Sequence, residues 1–147
     1  MIKYIIFILL FFTLSANANP IKEEMIIYFS KTEYKKVVDI IISISALESA
    51  HWTNKAHVTK NNFFSIKETR VATCCNNPNI YKDCKRITCM ANFNSLHESF
   101  NYFLDFLRKR GYSVNRDQFL KDLVSKNYAE DERFIIKVKR MRYFNGL

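Results

Sequence analysis

The sequence predicts a mainly α (α+β) chain: a helical lobe with a small disulfide-stapled β-hairpin lobe and a cleft between them. Three observations predict it. Capping boxes open long stretches whose apolar residues recur at helical spacing. All four cysteines, Cys74, Cys75, Cys84 and Cys89, fall within one short span rich in strand formers. The 147 residues contain only two glycines and two prolines, with no Gly/Ser linker, repeat or low-complexity tract, so one mature domain is expected.

Taken in order, residues 1–18 read as a signal peptide. Lys3 supplies a charged start, "IIFILLFFTL" an apolar core, and Ala16 and Ala18 an A-x-A cleavage site. The apolar run is short against the ~20 residues a spanning helix needs. An uncleaved anchor is the rival reading. No later stretch is long and apolar enough to cross a bilayer, so residues 19–147 are read as an exported domain of the periplasm or cell wall.

"SKTE" offers Ser30 as N-cap and Glu33 as its reciprocal partner, opening a helix over about residues 31–51. Its apolar positions run nearly all round, which marks a central, buried helix. Residues 55–68 read as loop and short helix, and 69–93 as the β-lobe. A helix capped by Ser95 and Glu98 buries Phe100, Phe103, Leu104 and Leu107 and stops at Gly111. Asn115 and Gln118 repeat the device for a helix burying Phe119, Leu120, Leu123 and Val124. The last helix, "DERFIIKVKRMRYF", buries Phe134, Ile135, Val138 and Met141 and leaves Lys137, Lys139, Arg140 and Arg142 outside.

Charge and cysteines narrow the function. Net charge is +9 (23 basic less 14 acidic residues), and +8 once Lys3 leaves with the leader. A basic exported domain suits an anionic partner such as cell-wall polymer; export argues against nucleic acid. In an oxidising compartment the cysteines pair, as nested 74–89/75–84 or crossed 74–84/75–89. The nested pairing suits a hairpin. A zinc site is the rival, but no histidine lies in the cluster and adjacent cysteines space zinc ligands poorly. No metal or other cofactor is expected. Oxidised cysteines exclude Cys-His chemistry. No strand-turn-helix nucleophile motif or Gly-rich phosphate loop occurs.

One carboxylate stands out. Glu48 lies one turn after Ile44 and two after Ile41, on a face built for burial. Desolvation there raises its pKa, and the negative helix C-terminus pushes the same way. A glutamic acid that keeps its proton near neutral pH is what a glycosidase needs as general acid. A solvated Glu at a helix end is the alternative, and position alone does not decide.

The surrounding motifs do. "ALESAHWTNKAHVTKNNFFSIK" (46–67) resembles the glucosaminidase domain of bacterial peptidoglycan hydrolases, glycoside hydrolase family 73 and its relatives. Ala46, Leu47, Glu48, Ser49, His51 and Trp52 fit the family's A-L-E-S-G-[HW]-[WFY] pattern. Asn61, Asn62, Phe64, Ile66 and Lys67 fit N-N-L-F-G-[IM]-K. Phe93, Ser95, Glu98, Ser99 and Tyr102 fit a downstream segment; Tyr128, Ala129, Asp131 and Phe134 fit Y-A-T-D-x-x-Y. The likeness runs from about residue 25 to 144. Ala50 and Ser65 stand where the family has glycine, and Asn54 where it has serine. Losing both glycines predicts altered loop geometry around the cleft.

The resemblance implies a lysozyme-like fold and cleavage of the β-1,4 bond after N-acetylglucosamine in peptidoglycan strands. It makes Glu48 the catalytic acid and places Tyr128 near the reaction centre. A second carboxylate would come from the β-lobe, with Asp83 preferred over Glu68; alternatively the substrate's acetamido group is the nucleophile. Asn62, His51, Glu68 and one of Phe63 and Phe64, with Phe64 taken as that one, are expected to meet the glycan; the other phenylalanine and Trp52 pack. His57 and His97 are expected on the surface, and the chain as a monomer. The rival readings are a muramidase or lytic transglycosylase on the same polymer, or a non-catalytic wall-binding or toxin-like protein of the same fold.

Overall fold

The computed structural model describes residues 19–70 and 87–145, with the backbone alone for 68–70 and 87–88. The expected leader, three of the cysteines (Cys74, Cys75, Cys84) and Asp83 lie outside the described residues. The molecule is mainly helical, as expected.

The first helix, α1 (Pro20–Phe29), is absent from the sequence expectations, although its signal was present. Asn19 accepts from the backbone N–H groups of Ile21 and Lys22 at 3.0 and 3.3 Å, and Pro20 occupies the first helical position. Proline loses nothing there, because that N–H has no helical partner anyway. Met25 and Phe29 anchor α1 in the core.

The expected helix over 31–51 is shorter at both ends. Ser30 does not cap it. Its own N–H bonds back to the Ile26 carbonyl at 3.0 Å, which makes Ser30 the tail of α1. Thr32 has the extended backbone a cap requires and accepts from the Tyr34 N–H at 3.2 Å, opening a 3₁₀ turn (Glu33–Val37). The central helix α2 then runs Val38–Glu48. Every residue from Val38 to Ala46 is buried, which is what all-round apolarity predicts. Its serines satisfy themselves locally: the Ser43 hydroxyl donates to the Asp39 carbonyl and Ser49 to Ser45, each at 2.7 Å.

One charge lies at the buried start of α2. Asp39 is gripped by both Arg116 guanidinium nitrogens, at 2.8 and 2.6 Å, and by the Asn145 backbone N–H at 2.7 Å. Burial pushes its pKa up, but the bonds from Arg116 and Asn145 outweigh this and hold it below the ordinary value.

A short helix α3 (Lys55–Val58) precedes an antiparallel pair, β1 (Lys67–Arg70) and β2 (Ile87–Met90), with Lys67 opposite Met90 and Glu68 opposite Cys89. Of the expected β-lobe the described residues hold this strand pair alone; the disulfide staple expected for it rests on Cys74, Cys75 and Cys84 outside them, with Cys89 in β2. The remaining helices are α4 (Leu96–Lys109), α5 (Arg116–Ser125) and α6 (Glu132–Arg140). Ser95 caps α4 as expected, accepting from the Glu98 N–H at 3.1 Å, while the Glu98 carboxylate takes the Asn94 N–H at 2.6 Å. Gly111, at φ +65°, stops the segment in the left-handed conformation. Asn115 caps α5, but Gln118 turns forward to Asp122 at 3.0 Å instead of back to the cap. Of the residues expected inside α6, Val138 is buried, and Phe134, Ile135 and Met141 are half-buried against the core. The helix lies over α2.

The core is aromatic. Phe64 stacks on Phe103 at 3.9 Å with planes 3° apart, and Phe29 meets both rings edge-on. Such pairs add about 0.5–1.5 kcal/mol each beyond the area they bury. Among the described residues no helix is long and apolar enough to cross a membrane.

Candidate active site

Three local devices build the site. The first is the end of α2. Glu48 is its last residue, and the chain then passes through Ala50, His51 and Trp52 with φ of 50°, 58° and 62°. L-residues pay roughly 1–2 kcal/mol each for that conformation and rarely adopt it in succession. It persists because its contacts are strong. The His51 N–H bonds to the Ala46 carbonyl at 2.7 Å, and the Trp52 indole N–H to the Ser45 hydroxyl at 3.0 Å. The Trp52 ring is buried against Tyr143, 5.0 Å between centroids. This reversal also ends α2 short of residue 51.

The second device is Asn62. Its side chain is fully buried, donates to the carbonyls of Ile66 and Ala91 at 2.8 and 2.9 Å, and accepts from the Ile66 N–H at 2.9 Å. One amide thus folds the 62–66 loop on itself and ties it to the segment after β2. Within that loop Ser65 has φ 50°. Ala50 and Ser65, the two residues standing where glycine was expected, both adopt a backbone that glycine tolerates best.

The third is the end of α5. Asn127, at φ 57°, lets the chain reverse, and the N–H groups of Tyr128 and Ala129 both bond to the Leu123 carbonyl, at 3.0 and 2.8 Å. Tyr128 is thereby turned inward, where its hydroxyl donates to the Phe64 carbonyl at 3.1 Å.

These devices surround a cavity of about 620 Å³, a size suited to a small ligand or a few sugar rings. Glu48 lines it with Phe64–Lys67 from the loop and β1, Asn127–Glu130 after α5, Tyr102, Phe103 and Phe106 from α4, and Arg110 just after it. Glu48 is half-buried. Burial raises its pKa above the ordinary value, and the Ser65 hydroxyl and the Lys67 ammonium pull it only partly back. Burial also raises the Tyr128 phenol well above its ordinary value, with the Glu48 charge adding to the effect. The two groups therefore feel each other across the same wall.

Of the residues singled out by sequence, Glu48, Tyr128 and Phe64 line the cavity. Phe64 does so edgewise: it is 1% exposed and its face is covered by Phe103, so it is no platform for a sugar ring. Asn62 cannot meet a substrate, because its amide is occupied by backbone and wholly enclosed. His51 is exposed, leans on Tyr143 with centroids 5.8 Å apart, and is not among the lining residues. The Glu68 backbone sits in β1, next to cavity-lining Lys67. Asp83 and three cysteines lie outside the described residues; Cys89 is in β2.

His57, expected on the surface, is buried, with its Nε2 2.9 Å from the Ser65 hydroxyl. His97 is exposed, as expected, 3.7 Å from Glu24. Asp131, matched to the family aspartate, caps α6 and pairs with Arg133 at 2.8 Å. Lys67, Arg110, Tyr102 and Glu130 were not picked out as site residues. Lys67 and Tyr102 stand in family motifs without an assigned task, and nothing in the local sequence separates Arg110 and Glu130 from ordinary surface groups; the fold brings all four to one rim. Among the described residues no three His, Cys, Asp or Glu side chains gather as a metal site.

Comparison with known proteins agrees with the motif reading. Neither the curated proteins nor the solved structures searched show a match. The family model of the glucosaminidases, described as mannosyl-glycoprotein endo-beta-N-acetylglucosaminidase, matches residues 26–146. The match runs from within α1 through the last described residue and includes every residue lining the cavity, and on that ground the chain belongs to the glucosaminidase family.

Proposed function

We propose that this protein is an exported peptidoglycan hydrolase that cleaves the β-1,4 bond following N-acetylglucosamine, with Glu48 as general acid. Family membership supports a glycoside hydrolase acting on peptidoglycan in general. The observation that carries the finer reading is a single one. Glu48 is a half-buried acid of raised pKa on the wall of a sugar-sized cavity. In the proposed step the Glu48 proton passes to the glycosidic oxygen as the C1–O bond breaks, the bonding electrons leaving with that oxygen. Water then supplies hydroxide to C1, and its second proton restores the acid.

Tyr128 is assigned to the positive charge that develops on the sugar. Its hydroxyl hydrogen is directed at the Phe64 carbonyl, so the oxygen is free to face that charge with its lone pairs. For the second carboxylate the candidates are Asp83, preferred over Glu68, from the β-lobe, and Glu130, the other acid on the cavity wall. The substrate's acetamido group would make such an acid unnecessary. Residues 1–18 as leader, and two disulfides among Cys74, Cys75, Cys84 and Cys89, belong to the same reading.

Digestion of purified peptidoglycan followed by mass spectrometry tests it. Reducing N-acetylglucosamine ends from the wild type, and none from Glu48→Gln, are expected. Reducing N-acetylmuramic acid or anhydro ends would make the protein a muramidase or a transglycosylase. Binding without cleavage by the wild type would make it a wall-binding protein of the same fold.

A further inference from the structure

The geometry points to Ser65 and His57 as positioning residues for the acid, a pair that holds the Glu48 proton on the oxygen facing the cavity. The inference rests on the assignment of Glu48 above, but it concerns two residues that the assignment does not use. Ser65 occupies a position where the family pattern has glycine, and it holds a left-handed backbone at φ 50° despite its side chain. That conformation sets its hydroxyl between two groups. On one side is His57 Nε2 at 2.9 Å. On the other is the Glu48 carboxyl, which lines the same cavity wall and whose pKa the Ser65 hydroxyl draws down.

His57 decides the direction of the chain. Its Nδ1 is buried and has no hydrogen-bond partner. A buried N–H without an acceptor is rarer than a bare lone pair, so the proton belongs on Nε2. Burial also pushes the His57 pKa down and keeps the ring neutral. Nε2–H then donates to Ser65 Oγ, and the Ser65 O–H is left to donate to Glu48. A glutamic acid has one hydroxyl and one carbonyl oxygen. If Ser65 always donates to the nearer oxygen, that oxygen is the carbonyl, and the acidic proton sits on the other one. No proton needs to move along the chain; it fixes orientation only.

The charged and titratable groups around Glu48 are Lys67 on β1, Tyr128 after α5, and Arg110 and Glu130 on the rim. None of them touches His57 in the described hydrogen bonds, so the His57–Ser65 arm can be altered separately.

Two Ser65 variants separate hydroxyl from backbone. Ser65→Gly removes the hydroxyl and relieves the backbone; Ser65→Ala removes the hydroxyl alone. The Glu48 side-chain carboxyl is titrated directly by ¹³C NMR, with Glu48→Gln assigning its signal and circular dichroism verifying each fold. Both variants should raise the Glu48 midpoint by the same amount, about 0.7 pH unit for one lost hydrogen bond. The alkaline limb of kcat should move with it, and kcat should fall about tenfold with KM little changed. His57→Leu should shift the midpoint in the same direction, and His57→Gln, which keeps an N–H donor, should restore the wild-type value. An unchanged midpoint in Ser65→Ala, or different midpoints in the two Ser65 variants, would overturn the proposal. An unchanged midpoint in His57→Leu would remove His57 from it. Full activity in Glu48→Gln would defeat the functional reading instead, and the titration would show this independently.

Discussion

Replacing Asn62 by alanine tests whether one buried amide holds the cavity loop to the sheet. The side chain is 0% exposed and makes contacts of 2.8, 2.9 and 2.9 Å with Ile66 O, Ala91 O and Ile66 N. Each such bond contributes about 1 kcal/mol net, and a stranded buried partner costs about 1–3 kcal/mol. Some of the three stranded groups will recruit water once the amide leaves a hole, which limits the sum. The expected loss is therefore about 3 kcal/mol, well above the ~1 kcal/mol typical of point mutations. Urea denaturation measures it as a lower midpoint at unchanged slope. Asn62→Asp is the informative control. It keeps the acceptor for the Ile66 N–H but turns a carboxylate toward two carbonyls, which raises its folded-state pKa above the unfolded value. Its stability is then fully present below the unfolded pKa of about 3.9 and is lost as pH rises through the folded pKa. A loss under about 1 kcal/mol for Asn62→Ala, or an Asn62→Asp variant indifferent to pH, would refute the claim that this amide is the weld.

Other changes have equally definite signs. Because burial raises the Glu48 pKa in the folded state, its favourable contribution holds below the unfolded value near 4.5 and is lost as pH rises through the folded pKa; Glu48→Gln should gain stability over wild type at pH 7 and not at pH 4, by calorimetry. The Asp39 pKa is depressed, so its contribution is present above the unfolded value near 3.8 and lost as pH falls through the folded one; Asp39→Ala, which leaves the Arg116 guanidinium unpaired, should cost about 2–3 kcal/mol at pH 7 and much less at pH 2. Ala50→Gly should stabilise by about 0.5–1 kcal/mol, since relief of a positive φ exceeds the entropy glycine adds to the unfolded chain, and thermal unfolding reads it as a higher Tm.

The helical frame was legible because its signals are local. Ser95, Asn115 and Gly111 each act within a few residues of themselves, and the all-round apolarity of 38–46 translates directly into burial. The boundary near Ser30 was misread because two competing hydroxyls lie two residues apart, and the choice of Thr32 depends on where α1 ends. The site was legible only as far as Glu48, Phe64 and Tyr128, which stand in motifs. Asn62 was recognised as important but given the wrong task. An asparagine amide serves a sugar or a backbone equally well, and only the approach of Ala91, 29 residues on, shows which. His57 was misplaced for the same kind of reason. Its burial depends on the turn that brings Ser65 over it.

The grip of Asn145 on Asp39 spans 106 positions of chain. During synthesis α2 therefore emerges from the ribosome well before Arg116 and Asn145, which grip its buried acid. Until the last turn is made, Asp39 has no Asn145 amide to meet, and a nascent chain gains little by closing early. Pairings of such long range slow folding. A protein tied in this way closes around its buried acid only once residue 145 is in place.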